Sequence, residues 1–513
     1  MQEADNNKED TIPQPANKGL EVAGLDLPPP QRGSKRIRKP RNLPLTERPL
    51  FENSPIERMA TGAPAISATQ AYLKSLKWRG DEEDGLYCQK VFGKGRCIEF
   101  YILNHQLHQP EFITHKAQQE IYHRYGVIAA KLHAVFASYA IRQKEPWKEP
   151  FTLLGTDLLD LLELHKGNKL RKTQKLKALA ALAHIVGTLG VSIQWEEGNL
   201  DLCIREQGLL WIVQVTEYGQ KNLFGEIALD NLYEVVITVQ PGLWTRNFLN
   251  KKGEQERKAL YQYGFINQEV FGLDPHKHPL AVALSLYLLQ NRRAHESGRY
   301  SILTLLEAVM STVEIEAIRR VKQYRSRFIK KFYSVLETLT EIGFRFRFSE
   351  SFPKAVRPVW AKLPDEDEEE LDPVANAPKD ERLPQGFFDI WLNGVVIITT
   401  PPNIESAVKE FEQRKAKTAK RMASAWSTES CQSRESNERQ VDYAQFQVPF
   451  TQSAPLTGAM VQQARLAIAM SQTELARAMG RSQSWVRDIE NKLKDEPVSP
   501  KYAARLREVL RLN

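Results

Sequence analysis

The stretch that most constrains the fold lies near the C-terminus: Ser471-Gln-Thr-Glu-Leu-Ala-Arg-Ala-Met-Gly-Arg-Ser-Gln-Ser-Trp-Val-Arg-Asp-Ile-Glu490. It reads as two short helices joined by one tight turn. Ser471 is suited to cap the first helix, and Glu474, three residues on, can return its carboxylate to the cap amide. Leu475, Ala476 and Met479 share one helical face. Gly480 stands where the helix must stop and the chain must turn, a position that favours positive φ. Ser482 can cap the second helix. There Val486 and Ile489 point inward, while Gln483, Ser484, Arg487 and Asp488 point outward. A helix-turn-helix built this way offers the polar side chains of its second helix to the DNA major groove. A helical bundle with a coincidental Gly turn leaves unexplained why that outward face lacks large apolar groups apart from Trp485.

These residues resemble the Cro/CI repressor-type helix-turn-helix family. The resemblance runs from about 461 to 510 and covers a small part of the chain. It rests on Arg465, the Ser-Gln-x-Glu-Leu-Ala run at 471–476, Gly480, and the hydrophobic-x-x-Ile-Glu-Asn ending at 486–491. Lys492 departs from the family, which usually has Gly there, and Trp485 is bulkier than usual. The resemblance implies that Gln472 and Gln483, at the two helix N-termini, contact DNA backbone and base respectively. Thr473, Ser482, Ser484, Trp485, Arg487, Asp488 and Lys492 are assigned with them to the DNA-binding surface. It also implies a homodimer on a two-fold site. The chemistry is reasonable: a glutamine amide pairs bidentately with adenine, and an arginine with guanine. Asp488 needs a cytosine amine to accept from, or Arg487 to orient. Val461, Ala464 and Ile468 give the preceding helix a buried stripe. Ser499-Pro500 opens a closing helix with Tyr502, Leu506, Val509 and Leu510 inside.

The 513 residues exceed what one core holds, so two to four domains are expected. A net charge of +8 favours an anionic partner. Cys88, Cys97, Cys203 and Cys431 are few and scattered, which fits a reducing cytosol and an expected cytoplasmic location with nucleoid or plasmid. No apolar run approaches the roughly 18 residues that span a bilayer, and the polar N-terminus does not read as a secretory signal. No membrane partner is expected.

In chain order, residues 1–68 read as a disordered tail. Its basic cluster at 33–41 is either a non-specific phosphate contact or a solvated tail. A hairpin is expected over 85–103 around a Gly-Lys-Gly turn, then a long helix from His115 to Gln143. Cys88, Cys97, His105 and His108 match no common zinc spacing, and packed core cysteines are the expectation. In residues 69–240, Thr156 caps a short helix, Thr173–Leu189 forms another, and Val191–Trp195 with Leu209–Val215 form strands. That is the order of a winged helix. It recurs in 241–402: helices at Pro279–Arg293, Ser301–Val309 and Tyr324–Ile342, the last ended by Gly343, a strand at Phe344–Phe348, and a hairpin of 386–392 with Val395–Thr400 around Asn393-Gly394. An acidic insert at 362–384 interrupts this second copy. Residues 403–456 read as a charged helix and flexible linker tethering the terminal module at 457–513.

The second copy carries Arg319, Arg320, Lys322, Arg325, Arg327, Lys330 and Lys331 with no acidic residue among them. In a winged helix this segment enters and begins the recognition helix, so phosphate and groove contact follow; a solvated basic face is the plainer account. Tandem winged helices over about 115–400 resemble plasmid replication initiators, by architecture only. That resemblance implies one winged unit for dimerisation and one for reading DNA, and the charges point to 279–400 as the reader.

No phosphate-binding glycine loop, HExxH, GxSxG or CxxC is present. His276-Lys-His278, beside Pro279, lacks the bulky apolar spacer of nicking enzymes and reads as a helix-entry loop. No enzymatic activity, cofactor or metal is expected. The expected fold class is mainly α and multi-domain, with two winged-helix-like α+β units, a small all-α C-terminal domain and a disordered N-terminus. The expected function is sequence-specific double-stranded DNA binding as a bacterial transcriptional regulator; the alternative is a plasmid replication initiator binding origin repeats. Transcription or replication machinery would be the protein partner.

Overall fold

The helices Val127–Ala140 and Pro279–Asn291 have almost no polar face, and a helix apolar all round must be buried. In the computed structural model every residue from Ala129 to Ala140 and from Leu280 to Asn291 is buried, and the two helices pack together. The structure describes residues 43–80, 85–93, 95–103, 114–164, 170–197, 202–221, 227–352, 356–361, 386–414, 417, 456–467, 470–479, 481, 483–492, 498 and 500–510. The chain divides into two compact units, 1–417 and 418–513. The fold is mixed α/β. Among the described residues four antiparallel sheets, all in the first unit, stand beside the helices, so that body is mixed α/β where mainly α was expected.

Strand Ile56–Ala60 pairs with Tyr263–Asn267, and helix Ala63–Tyr72 is buried along most of its length. Residues 56–68 therefore belong to the core, which corrects their assignment to a tail. Ala65, Ala68 and Ala71 are small residues that let this helix lie close to the central pair, and Gln290 Nε2 donates to Thr69 Oγ1 at 2.8 Å. The boundary expected at 240/241 falls inside this unit.

One element order occurs twice. Val127–Ala140, Phe151–Leu154, Gly155–Leu161, Lys172–Gly187, Trp211–Lys221 and Ile227–Pro241 run helix, strand, helix, helix, strand, strand. The last strand lies between the other two in the sheet. Pro279–Asn291, Arg299–Ser301, Ile302–Val309, Lys322–Glu341, Arg345–Phe348 and Val395–Thr399 repeat that order and sheet arrangement, with further helices Thr312–Arg320 and Phe387–Asn393 set between them. In the first copy, Leu189–Glu197 and Leu202–Leu209 are inserted and join the hairpin Tyr87–Gly93/Arg96–Ile102 in a four-stranded sheet. Residues 191–195 are thus not paired with 209–215 as expected.

Other differences have local causes. The long helix breaks at Tyr125–Gly126, where the buried Tyr125 ring meets Tyr72 edge-on and its hydroxyl bonds Thr188 Oγ1 at 3.1 Å. Thr156 does not cap; it bonds the buried Glu234, with its hydroxyl 2.8 Å from Oε2. Phe387–Asn393 is a helix rather than a strand. Phe387, Phe388, Trp391 and Leu392 are buried at i, i+1, i+4 and i+5, a helical spacing that strand alternation cannot satisfy. The helix Lys322–Glu341 stops before Gly343, whose φ of +95° is left-handed, a conformation that favours glycine just past a helix end. Among the described residues no helix is long and apolar enough to cross a membrane.

Among its described residues the second unit has four helices, Gly458–Ala467, Gln472–Ala478, Gln483–Lys492 and Pro500–Leu510, around a core of Val461, Leu475, Val486, Ile489, Leu506 and Leu510. The basic cluster at 33–41, His105, His108, the insert 362–384, the linker 427–455, Gly480 and Ser482 lie outside the described residues.

Candidate nucleic-acid interface

Ser471 caps Gln472–Ala478 as a capping box: its hydroxyl accepts from Glu474 N at 3.2 Å, and Glu474 Oε2 accepts from Ser471 N at 2.7 Å. That backbone bond holds the Glu474 carboxyl below its usual range. Leu475 and Ala476 are buried and fix the helix against the core. In the second helix Val486, Ile489 and Glu490 are buried, whereas Gln483, Ser484, Arg487 and Asn491 are exposed. Residues 483, 487 and 491 repeat at i, i+4 and i+8, so they form one outward line. Asn491 was missed as a candidate because it was read only as part of a motif ending.

The orientation of this helix is set by a buried ion pair. Arg465 Nε and Nη2 donate to Glu490 Oε1 and Oε2 at 2.6 and 3.0 Å, and Nη1 donates to Met470 O at 2.8 Å. Gln472 Nε2 donates to the same carboxylate at 2.7 Å. Gln472 is half-buried, and its amide nitrogen is held inside the unit, while Thr473 is exposed. Trp485 is half-buried, its ring edge-on to Tyr502 with centroids 5.1 Å apart, so it packs between helices instead of standing outward. Arg481 covers the same Tyr502 ring and donates to its hydroxyl at 3.0 Å. Asp488 is half-buried; Lys492 ends the helix.

In the first unit the basic residues divide by role. Arg319 pairs with Glu316 at 2.5 Å and Asp389 at 2.9 Å. Arg325 Nε donates to Arg319 O at 2.7 Å, satisfying a carbonyl at the end of Thr312–Arg320. Both are tied to the protein. Arg320, Lys322, Arg327, Lys330 and Lys331 are exposed. The first two turns of Lys322–Glu341 stand clear of the body: between Lys322 and Arg327 only Arg325 is half-buried, and Ile329, Phe332, Val335, Leu336 and Leu339 anchor the rest. Gln323 and Tyr324, exposed among these cations, were not foreseen as candidates. The corresponding helix of the first copy is more enclosed, and Lys177 there is paired with Glu217 at 2.5 Å.

Of the cysteine–histidine grouping only the two cysteines are described, and they do not converge. Cys88 sits opposite Phe100 and is buried, Cys97 sits opposite Val91, and the two face opposite sides of the hairpin. Burial pushes the Cys88 thiol well above its usual range. His276 and His278 occupy a turn in which Asp274 Oδ1 accepts from His276 N at 2.8 Å, directly before helix Pro279–Asn291. No family model, no curated protein and no solved structure matches this chain.

Proposed function

We propose that this protein binds double-stranded DNA with sequence specificity. The observation that carries the reading is the exposed line Gln483, Arg487 and Asn491 on a helix whose opposite side is fixed by the Arg465–Glu490 pair. Amide and guanidinium side chains at one-turn spacing suit base edges in a major groove. The arrangement supports the Cro/CI-type reading of 457–513, with Gln483 and Arg487 touching bases and Thr473, Ser484 and helix-terminal amides touching phosphates.

Two roles share this chemistry. A transcriptional regulator acting through the terminal unit is the simplest. A plasmid replication initiator is favoured by one specific observation, the doubled helix–strand–helix–helix–strand–strand order with its central last strand. That order supports a reading as tandem winged helices, and in the second copy helix Lys322–Glu341 carries Arg327, Lys330 and Lys331 outward.

Site selection from a random duplex pool, with the full chain beside fragment 457–513, tests the reading. A short inverted repeat enriched by both supports a regulator. Long direct repeats enriched only by the full chain support an initiator. No enrichment by either overturns sequence-specific binding.

A further inference from the structure

Beyond the helix-borne surfaces, the sheet of the second copy carries a separate cationic face. Arg299 and Arg347 both lie opposite Ile397, one from each neighbouring strand, and Arg345 lies opposite Thr399. Residues opposite one another across a ladder share a face, and residues two apart on a strand return to it. All three arginines and Thr399 are exposed, while Tyr300, Phe348, Val396 and Ile398 on the other face are buried. Ladder geometry puts Arg299 and Arg347 about 10 Å apart at the backbone, with Arg345 about 7 Å further along the strand. Gly298, at φ +61°, brings the Arg299 strand close to its neighbour: a Cβ there would stand 2.4 Å from Ile398 O.

Among the described residues no acidic side chain pairs with any of the three, and no other partner claims them. Glu296, Glu341 and Glu350, close to the three arginines in sequence, are exposed and lie off the strands. Helix Lys322–Glu341 covers the buried face, with the Tyr333 ring 6.2 Å from Phe348. The arginines therefore point away from the basic helix. A helix is about 10–12 Å thick with its side chains, so a straight duplex lying on its exposed side does not reach them.

We infer that this arginine face is a second phosphate-contacting surface for duplex DNA, engaging backbone that flanks the segment held by the helix. The inference rests on the DNA-binding reading above. Guanidinium groups without protein partners match phosphate oxygens bidentately, and three in a fixed array follow a backbone without reading sequence. Reaching them requires flanking duplex that bends round the edge of the unit, an expense that contacts on the far side offset.

The test uses the full chain, a short duplex limited to the selected site, and a long duplex extended by about two helical turns on each side. Affinity is followed against salt by fluorescence anisotropy. The variant R299Q/R345Q/R347Q is expected to match wild type on the short duplex. On the long one it should lose about two to three units of the log–log salt slope. Thr399→Asp, which adds a repelling charge to the same face and removes no arginine, should lower the long-duplex slope alone. Identical slopes for wild type and variants on the long duplex overturn the inference. So does an equal fall on both lengths, which would make the arginines part of the primary contact. Either result leaves DNA binding standing, whereas a wild-type chain that binds neither duplex removes both.

Discussion

Arg465 and Glu490 form a two-pronged ion pair inside the C-terminal unit, with the glutamate fully buried and the arginine nearly so. The pair ties the first helix to the end of the third, and Gln472 at the start of the second donates to the same carboxylate. Removing one charge strands the other in a medium that cannot solvate it, a loss of about 3–5 kcal/mol. Arg465→Met is therefore expected to unfold 457–513 at a much lower temperature in calorimetry, while the transition of the larger unit stays in place. Arg465→Met with Glu490→Leu should recover much of the loss, since it leaves no buried charge. If the single variant melts like wild type, the pair does not hold this unit together.

Gln472→Ala separates support from contact. Its amide is spent on Glu490, so the variant should lose about 1 kcal/mol of stability with a small effect on sequence preference. Gln483 is exposed and bonds no other side chain among the described residues, so Gln483→Ala should do the reverse: folding unchanged, and about 1–3 kcal/mol of discrimination lost at one base position. Selection profiles for the two variants check this. A Gln483→Ala profile identical to wild type removes Gln483 as a reader.

The basic helix gives a sharper version of the same contrast. Lys330→Ala or Arg327→Ala should weaken binding evenly across sequences and reduce the salt slope by about one unit each. Arg319→Ala should leave the slope unchanged, because its guanidinium is committed to Glu316 and Asp389; the half-exposed pairs should contribute at most about 1 kcal/mol to stability. Salt titrations of the three variants on one duplex decide it.

That distinction among cations marks where the sequence stops being legible. Local signals carried well: the Ser471–Glu474 capping box, the Gly-Lys-Gly hairpin, the glycine stop at 343, and the inward pair Val486 and Ile489 are each set by residues within one or two turns. What failed needed partners far away in the chain. Ile56–Ala60 is a short run in a polar neighbourhood, and only Tyr263–Asn267, two hundred residues later, makes it a strand. Phe387–Asn393 precedes an Asn-Gly pair that suggests a hairpin, yet four aromatic and aliphatic side chains bury only if it is helical. The run from 319 to 331 shows seven cations, but which are free depends on Asp389 and a carbonyl across the turn. The arginine face alternates in sequence only at 345 and 347; its third member comes from a strand nearly fifty residues earlier.

The larger unit should lose stability in acid through His133. This imidazole is fully buried between the central helix and its neighbours. Trp211 Nε1, which can only donate, is 2.9 Å from Nδ1, so Nδ1 is the unprotonated nitrogen; Nε2 carries the hydrogen and donates to Ala65 O at 2.9 Å. Burial lowers its pKa from 6.5 to about 4. The direction follows from proton counting: between those values the unfolded chain holds the proton and the folded one does not, so stability falls as pH drops. The stabilisation is complete above pH 6.5 and is lost as pH falls through the folded value near 4, a loss on the order of 3 kcal/mol. Below that value the histidine is protonated in both states and adds no further slope. His133→Gln retains an acceptor for Trp211 and a donor for Ala65 but does not titrate. Its melting temperature between pH 7 and 4 should therefore fall less steeply than that of wild type, whatever its absolute stability. Parallel curves would mean that His133 does not couple folding to pH.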